Sequence, residues 1–76
     1  MTRLICDIAK DIRANWPKPY FGAEPYIGAM LFIEYVTDSF GADSAKSIIS
    51  YFLANAQTWR GEIARMIKAE LKEMIK

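Results

Sequence analysis

The sequence predicts an all-α protein, a compact bundle of about four short helices that forms one domain over residues 1–76. Three observations lead there. Apolar residues recur at helical spacing almost from the start of the chain, Pro17, Pro19, Pro25 and Gly41 divide that pattern into short segments, and the connections are brief enough to favour antiparallel neighbours. No internal repeat, linker or low-complexity tract interrupts the pattern.

In the first helix Leu4, Ile5, Ile8, Ile12 and Trp16 fall on one side, with Arg3, Lys10 and Arg13 on the other. Pro17 pushes the residue before it out of helical geometry and Pro19 repeats the block, so the helix ends near Trp16. A stiff aromatic loop follows, Pro17-Lys18-Pro19-Tyr20-Phe21-Gly22. Pro25 suits a first helical position and Gly41 a helix end beyond Phe40, which predicts a second helix from about Pro25 to Ser39. Its apolar residues, among them Tyr26, Ile27, Met30, Phe32, Ile33 and Tyr35, cover almost every direction and leave Glu34 and Asp38 as its charged positions. A central place in the fold is expected, with Gly28 and Ala29 admitting another helix closely.

Asp43 or Ser44 is expected to cap a third helix, whose buried stripe is Ala45, Ile48, Ile49, Phe52, Leu53 and Ala56. Thr58 is expected to cap a fourth, running from Trp59 to near the C-terminus with Gly61 in its first turn. Ile63, Ala64, Ile67, Leu71, Met74 and Ile75 form its apolar face.

Composition narrows the function classes. A 76-residue chain buries about 60% of the surface its unfolded form exposes, so stability is expected to be marginal, and a homodimer would add burial. The ten aromatic residues exceed what one small core hides, which reserves some for a partner. No apolar run reaches the roughly 18 residues of a membrane-spanning helix, and Asp7, Lys10 and Asp11 break the apolar stretch a secretory signal requires. A cytoplasmic protein without a membrane partner is the expectation. The single cysteine, Cys6, fits a reducing compartment and reads as a small buried hydrophobe.

Histidine is absent, which removes the commonest general base near neutral pH and the commonest transition-metal ligand. Cys6 therefore has no imidazole to take its proton. Glu34, Asp38 and Asp43 lack the spacing of a calcium loop and read as a solvated acidic edge, and the four glycines begin no nucleotide fingerprint. No catalytic residue, metal or cofactor is expected, and the chain is read as a non-enzyme.

Two surfaces remain as candidates. The first comprises Tyr20, Phe21 and Tyr26 on or beside the proline-stiffened loop, with Trp59 and Arg60 as further contact types typical of interfaces. The same aromatics also suit closure of the bundle's end, and Trp59 a lid on the core. The second is a basic stripe on the fourth helix, where Arg65, Lys68, Lys72 and Lys76 lie within a wedge of roughly 80°, extended by Arg60. Phosphates or an acidic protein surface would meet it, and a merely solvated face is the plain alternative, since cations are favoured near a helix C-terminus. The net charge of +1 supplies no general attraction to nucleic acid.

Trp16 with Tyr20-Phe21-Gly22-Ala23 and Pro25-Tyr26, the run Tyr51-Phe52-Leu53-Ala54-Asn55-Ala56, and Thr58-Trp59-Arg60-Gly61-Glu62 leading into Lys68-Ala69-Glu70-Leu71-Lys72 carry a resemblance. Across nearly the whole chain they resemble a group of small helical proteins encoded by bacteriophages and prophages. The resemblance implies activity in the host bacterial cytoplasm, where such proteins block or redirect a host protein, defence nucleases included. It assigns no residue a role. The reading reached is a small accessory protein that binds and modulates, as an inhibitor, a host protein. The alternative is a nucleic-acid-binding regulator using the basic stripe, although the third helix, with Lys46 as its one basic contact, makes a poor recognition helix.

Overall fold

The computed structural model describes residues 3–76. Four helices and one small hairpin follow in the order α1 (Ile5–Asn15), α2 (Glu24–Met30), β1 (Ser39–Phe40), β2 (Asp43–Ser44), α3 (Ala45–Ala54) and α4 (Glu62–Met74). The protein is thus mostly helical rather than all-α.

α1 forms where the spacing predicts it, with Ile5, Ile8, Ala9 and Ile12 buried. Leu4 precedes it in extended geometry without a side-chain cap. The first free N–H, that of Ile5, instead donates to the Glu34 carbonyl at 2.9 Å, a tertiary bond that ties the start of α1 to the segment after α2. The helix stops at Asn15, with Trp16 already out of helical geometry ahead of Pro17. Cys6 is half-buried rather than buried.

The second helix departs from expectation: it ends at Met30, not Ser39. Phe32 and Ile33 close it with three-residue turns onto Ala29 and Met30. A segment apolar on almost every side has no single face to bury in so small a fold. The break lets Met30 and Ile33 enter the core while Phe32 and Tyr35 turn outward. Beyond it the Asp38 carboxylate accepts from the N–H groups of Glu34 at 3.1 Å and Tyr35 at 2.9 Å, so this aspartate organises a turn and is no helical edge residue. A Cβ at Gly28 would meet nothing within 4 Å, so no helix packs closely there.

Gly41 does not end a helix. It takes φ +63° at the first of two turn residues joining β1 and β2, in which Phe40 pairs with Asp43 and Ser39 with Ser44. A hairpin turn of two residues needs positive φ at that position, and glycine provides it without a Cβ clash.

Ser44 caps α3: its hydroxyl accepts from the Ser47 N–H at 3.2 Å. Ser44→Ala is expected to cost about 1 kcal/mol, read as a lower melting temperature, whereas Ser44→Asp should be nearly neutral. The stripe of α3 is buried at Ala45, Ile48, Ile49 and Phe52.

α4 starts three residues later than expected. Gly61, at φ +115°, is its N-cap, and Thr58 makes no cap. Ala64, Ile67 and Leu71 face inward, but Ile63 is 49% exposed. α2 packs on α1 and α3, and α4 closes over the same two helices, so that all four contribute to one apolar cluster.

Candidate functional site

Trp16 lies where α1 is stopped by Pro17, and its indole stacks on that of Trp59 with centroids 5.3 Å apart and planes 7° from parallel. Phe52 of α3 meets both edge-on, at 6.4 Å from Trp16 and 6.5 Å from Trp59. The Trp59 indole N–H donates to the Asn15 carbonyl at 3.4 Å. Trp59 is only 4% exposed, which corrects its place among the partner-binding candidates: it is a core residue joining the α3–α4 connection to the end of α1.

Tyr20 and Phe21 remain on the surface directly after the proline loop. Their rings pack on each other at 4.8 Å, and they are 45% and 80% exposed. Gly22 explains how Tyr20 is held. A Cβ at position 22 would come within 2.6 Å of the Tyr20 ring and 2.7 Å of Asn55 Oδ1, so the bare backbone lets the tyrosine lie flat against the chain beside α3's end. Phe21 projects from that seated tyrosine. Ala23 beneath is fully buried, and Ala23 N–H donates to the Tyr20 carbonyl at 2.8 Å, closing the turn that presents the pair. Tyr26 does not complete this surface. Its ring pairs with Tyr51 of α3 at 5.5 Å and packs partly buried against the core.

Phe32 and Phe40 form a second exposed aromatic pair, with centroids 5.8 Å apart. Phe32 is 77% exposed. The long second helix expected from the sequence hid this pair. The signal that would have found it is the turn-forming run Asp38-Ser39-Phe40-Gly41-Ala42-Asp43-Ser44, too rich in turn residues for a helix end.

The basic residues divide. Arg60, Arg65, Lys68 and Lys72 converge with Gly61 and Ala69 around a concave volume of about 400 Å³ that no acidic residue lines. Lys76 is not part of it and pairs with Glu73 at 3.4 Å. Lys68 turns its ammonium onto the Trp59 carbonyl at 2.5 Å. Desolvation there, with Lys72 and then Arg60 close by, lowers the Lys68 pKa from its ordinary value. Most cations outside it are compensated. Arg3 bridges Asp11 and Glu70, Lys10 pairs with Asp7 at 3.8 Å, and Arg13 pairs with Glu24 at 2.5 Å. Among the described residues, Lys18, Lys46 and the four recess residues are the basic side chains without an ion pair.

Among the described residues no group of three or more histidine, cysteine, aspartate or glutamate side chains is placed to hold a metal ion, and no helix is long and apolar enough to cross a membrane. The arrangement presents two kinds of surface, a pre-set aromatic corner and an uncompensated cationic recess. No protein-family model, no curated protein and no solved structure matches the chain.

Proposed function

We propose that the protein is a non-catalytic interaction module that binds another protein through the Tyr20–Phe21 corner, and that it modulates that partner, as an inhibitor does, in a bacterial cytoplasm. One observation carries the reading: two large aromatic side chains are left exposed on a turn whose backbone is constrained by Pro17 and Pro19 and whose tyrosine is seated by Gly22. Exposure of such side chains is unfavourable unless a partner covers them, and a pre-ordered aromatic anchor loses little entropy on binding. The resemblance to phage and prophage proteins supports a host protein as the partner, with a defence nuclease as one candidate.

The test places a photo-crosslinking phenylalanine analogue at Phe21 and, as control, at Lys46, followed by irradiation in nuclease-treated bacterial lysate. A single adduct is expected from position 21 and none from position 46. Phe21→Ala is expected to weaken capture of that partner about tenfold or more while its stability changes by no more than about 0.5 kcal/mol. Equal crosslinking from both positions, or undiminished capture by a folded Phe21→Ala variant, would remove the assignment.

A further inference from the structure

We propose that the recess formed by Arg60, Gly61, Arg65, Lys68 and Lys72 binds the sugar-phosphate backbone of a nucleic acid without reading its sequence. This site is independent of the aromatic corner, since it is built from the start and outer face of α4.

The charge distribution is the first argument. Most cations outside the recess have a carboxylate, whereas four within it line about 400 Å³ together, with no acidic residue in the lining and no ion pair of their own. Lys68 and Lys72 are one helical turn apart, a like-charge spacing that is itself destabilising. Such a cluster is relieved by an anion. The second argument is its shape. From Arg65 to Lys72 is seven helical residues, about 10 Å, the axial length over which one strand of a duplex carries about three phosphates. Arg60, Arg65 and Lys72 are exposed, while Lys68 is already engaged by the Trp59 carbonyl, which leaves about three cations for phosphates.

The lining excludes other modes. Trp59 borders the recess, but its ring is inside the core, so no aromatic face is offered for a base to stack on. The remaining lining residues, Gly61 and Ala69, supply no apolar anchor of the kind a protein partner needs. What remains is charge, with two guanidinium groups suited to paired contacts with phosphate oxygens.

Fluorescence anisotropy with two labelled 20-base-pair duplexes of unrelated sequence tests the proposal. Both are expected to bind within about twofold of each other, with affinity falling about 40-fold between 50 and 200 mM salt if about three phosphates are engaged. Arg65→Gln combined with Lys72→Gln is expected to lower the salt slope by about two, while Lys46→Gln, on α3 and outside the recess, leaves it unchanged. Melting curves establish that each variant is folded, and removal of mutually repelling charges should not lower them. The proposal is overturned if neither duplex binds at 50 mM salt, or if the folded double variant keeps the wild-type slope. It is equally overturned if polyglutamate displaces the labelled duplex as effectively as unlabelled duplex does, which would assign the recess to an acidic protein.

Discussion

Trp59→Ala is expected to be among the most damaging single changes, at about 3–5 kcal/mol. The indole is stacked on Trp16, touched edge-on by Phe52, and hydrogen-bonded to the Asn15 carbonyl, so its removal opens a cavity between α1, α3 and the α3–α4 connection. A chain of this length has about 4–11 kcal/mol of stability on the usual per-residue scale, so the variant is expected to melt at least about 12 °C lower or to be unfolded at 25 °C. Trp59→Phe keeps a ring in the stack and is expected to lose markedly less. Circular dichroism melts of the two variants check this. A Trp59→Ala protein that melts with the wild type would show that the indole is not structural, and would return Trp59 to the list of contact residues.

Gly61→Ala is expected to cost about 1–3 kcal/mol through the backbone alone. The glycine combines φ +115° with ψ 174°, a region essentially closed to residues with a Cβ, yet an added Cβ would touch nothing within 4 Å. The loss therefore comes from local strain and not from a clash. It also has a reach beyond stability, because Gly61 turns the chain from the buried Trp59 into α4 and so sets Arg60 opposite Arg65 and Lys72. Denaturant unfolding should show the destabilisation, and a D-alanine at the same position, introduced by chemical synthesis, should restore it. Equal loss with both enantiomers would refute a conformational cause.

The sequence was most legible where one short-range rule acted alone. Pro17 stops α1 whatever surrounds it, and the alternation of apolar and polar residues in α1 admits one buried face. Ser44 caps α3 because its hydroxyl needs only the N–H three residues on, at 3.2 Å. For the site, the same locality made Tyr20 and Phe21 readable as candidates: they follow a proline pair and precede a glycine. Arg65, Lys68 and Lys72 were readable as one stripe because they share a helix face. Lys76 was grouped with them by angle, but angle ignores the nearby Glu73 that pairs with it.

The sequence by itself therefore determined a mostly helical chain, the end of α1 and the start of α3, the inward faces of those helices, and the types of side chain left for binding. These follow from backbone sterics and hydrogen bonds among residues within a turn of one another. Only the tertiary structure decided where α2 ends, which aromatics are hidden and which cations meet. The stretch from Phe32 to Val36 is apolar apart from Glu34 and has no single apolar face, so its conformation depends on which neighbours offer burial: Ile33 is drawn into the core, and the Glu34 carbonyl takes the N–H of Ile5 at 2.9 Å. Trp59 is buried because Trp16, 43 residues earlier in the chain, presents a parallel indole 5.3 Å away, a contact no local pattern encodes.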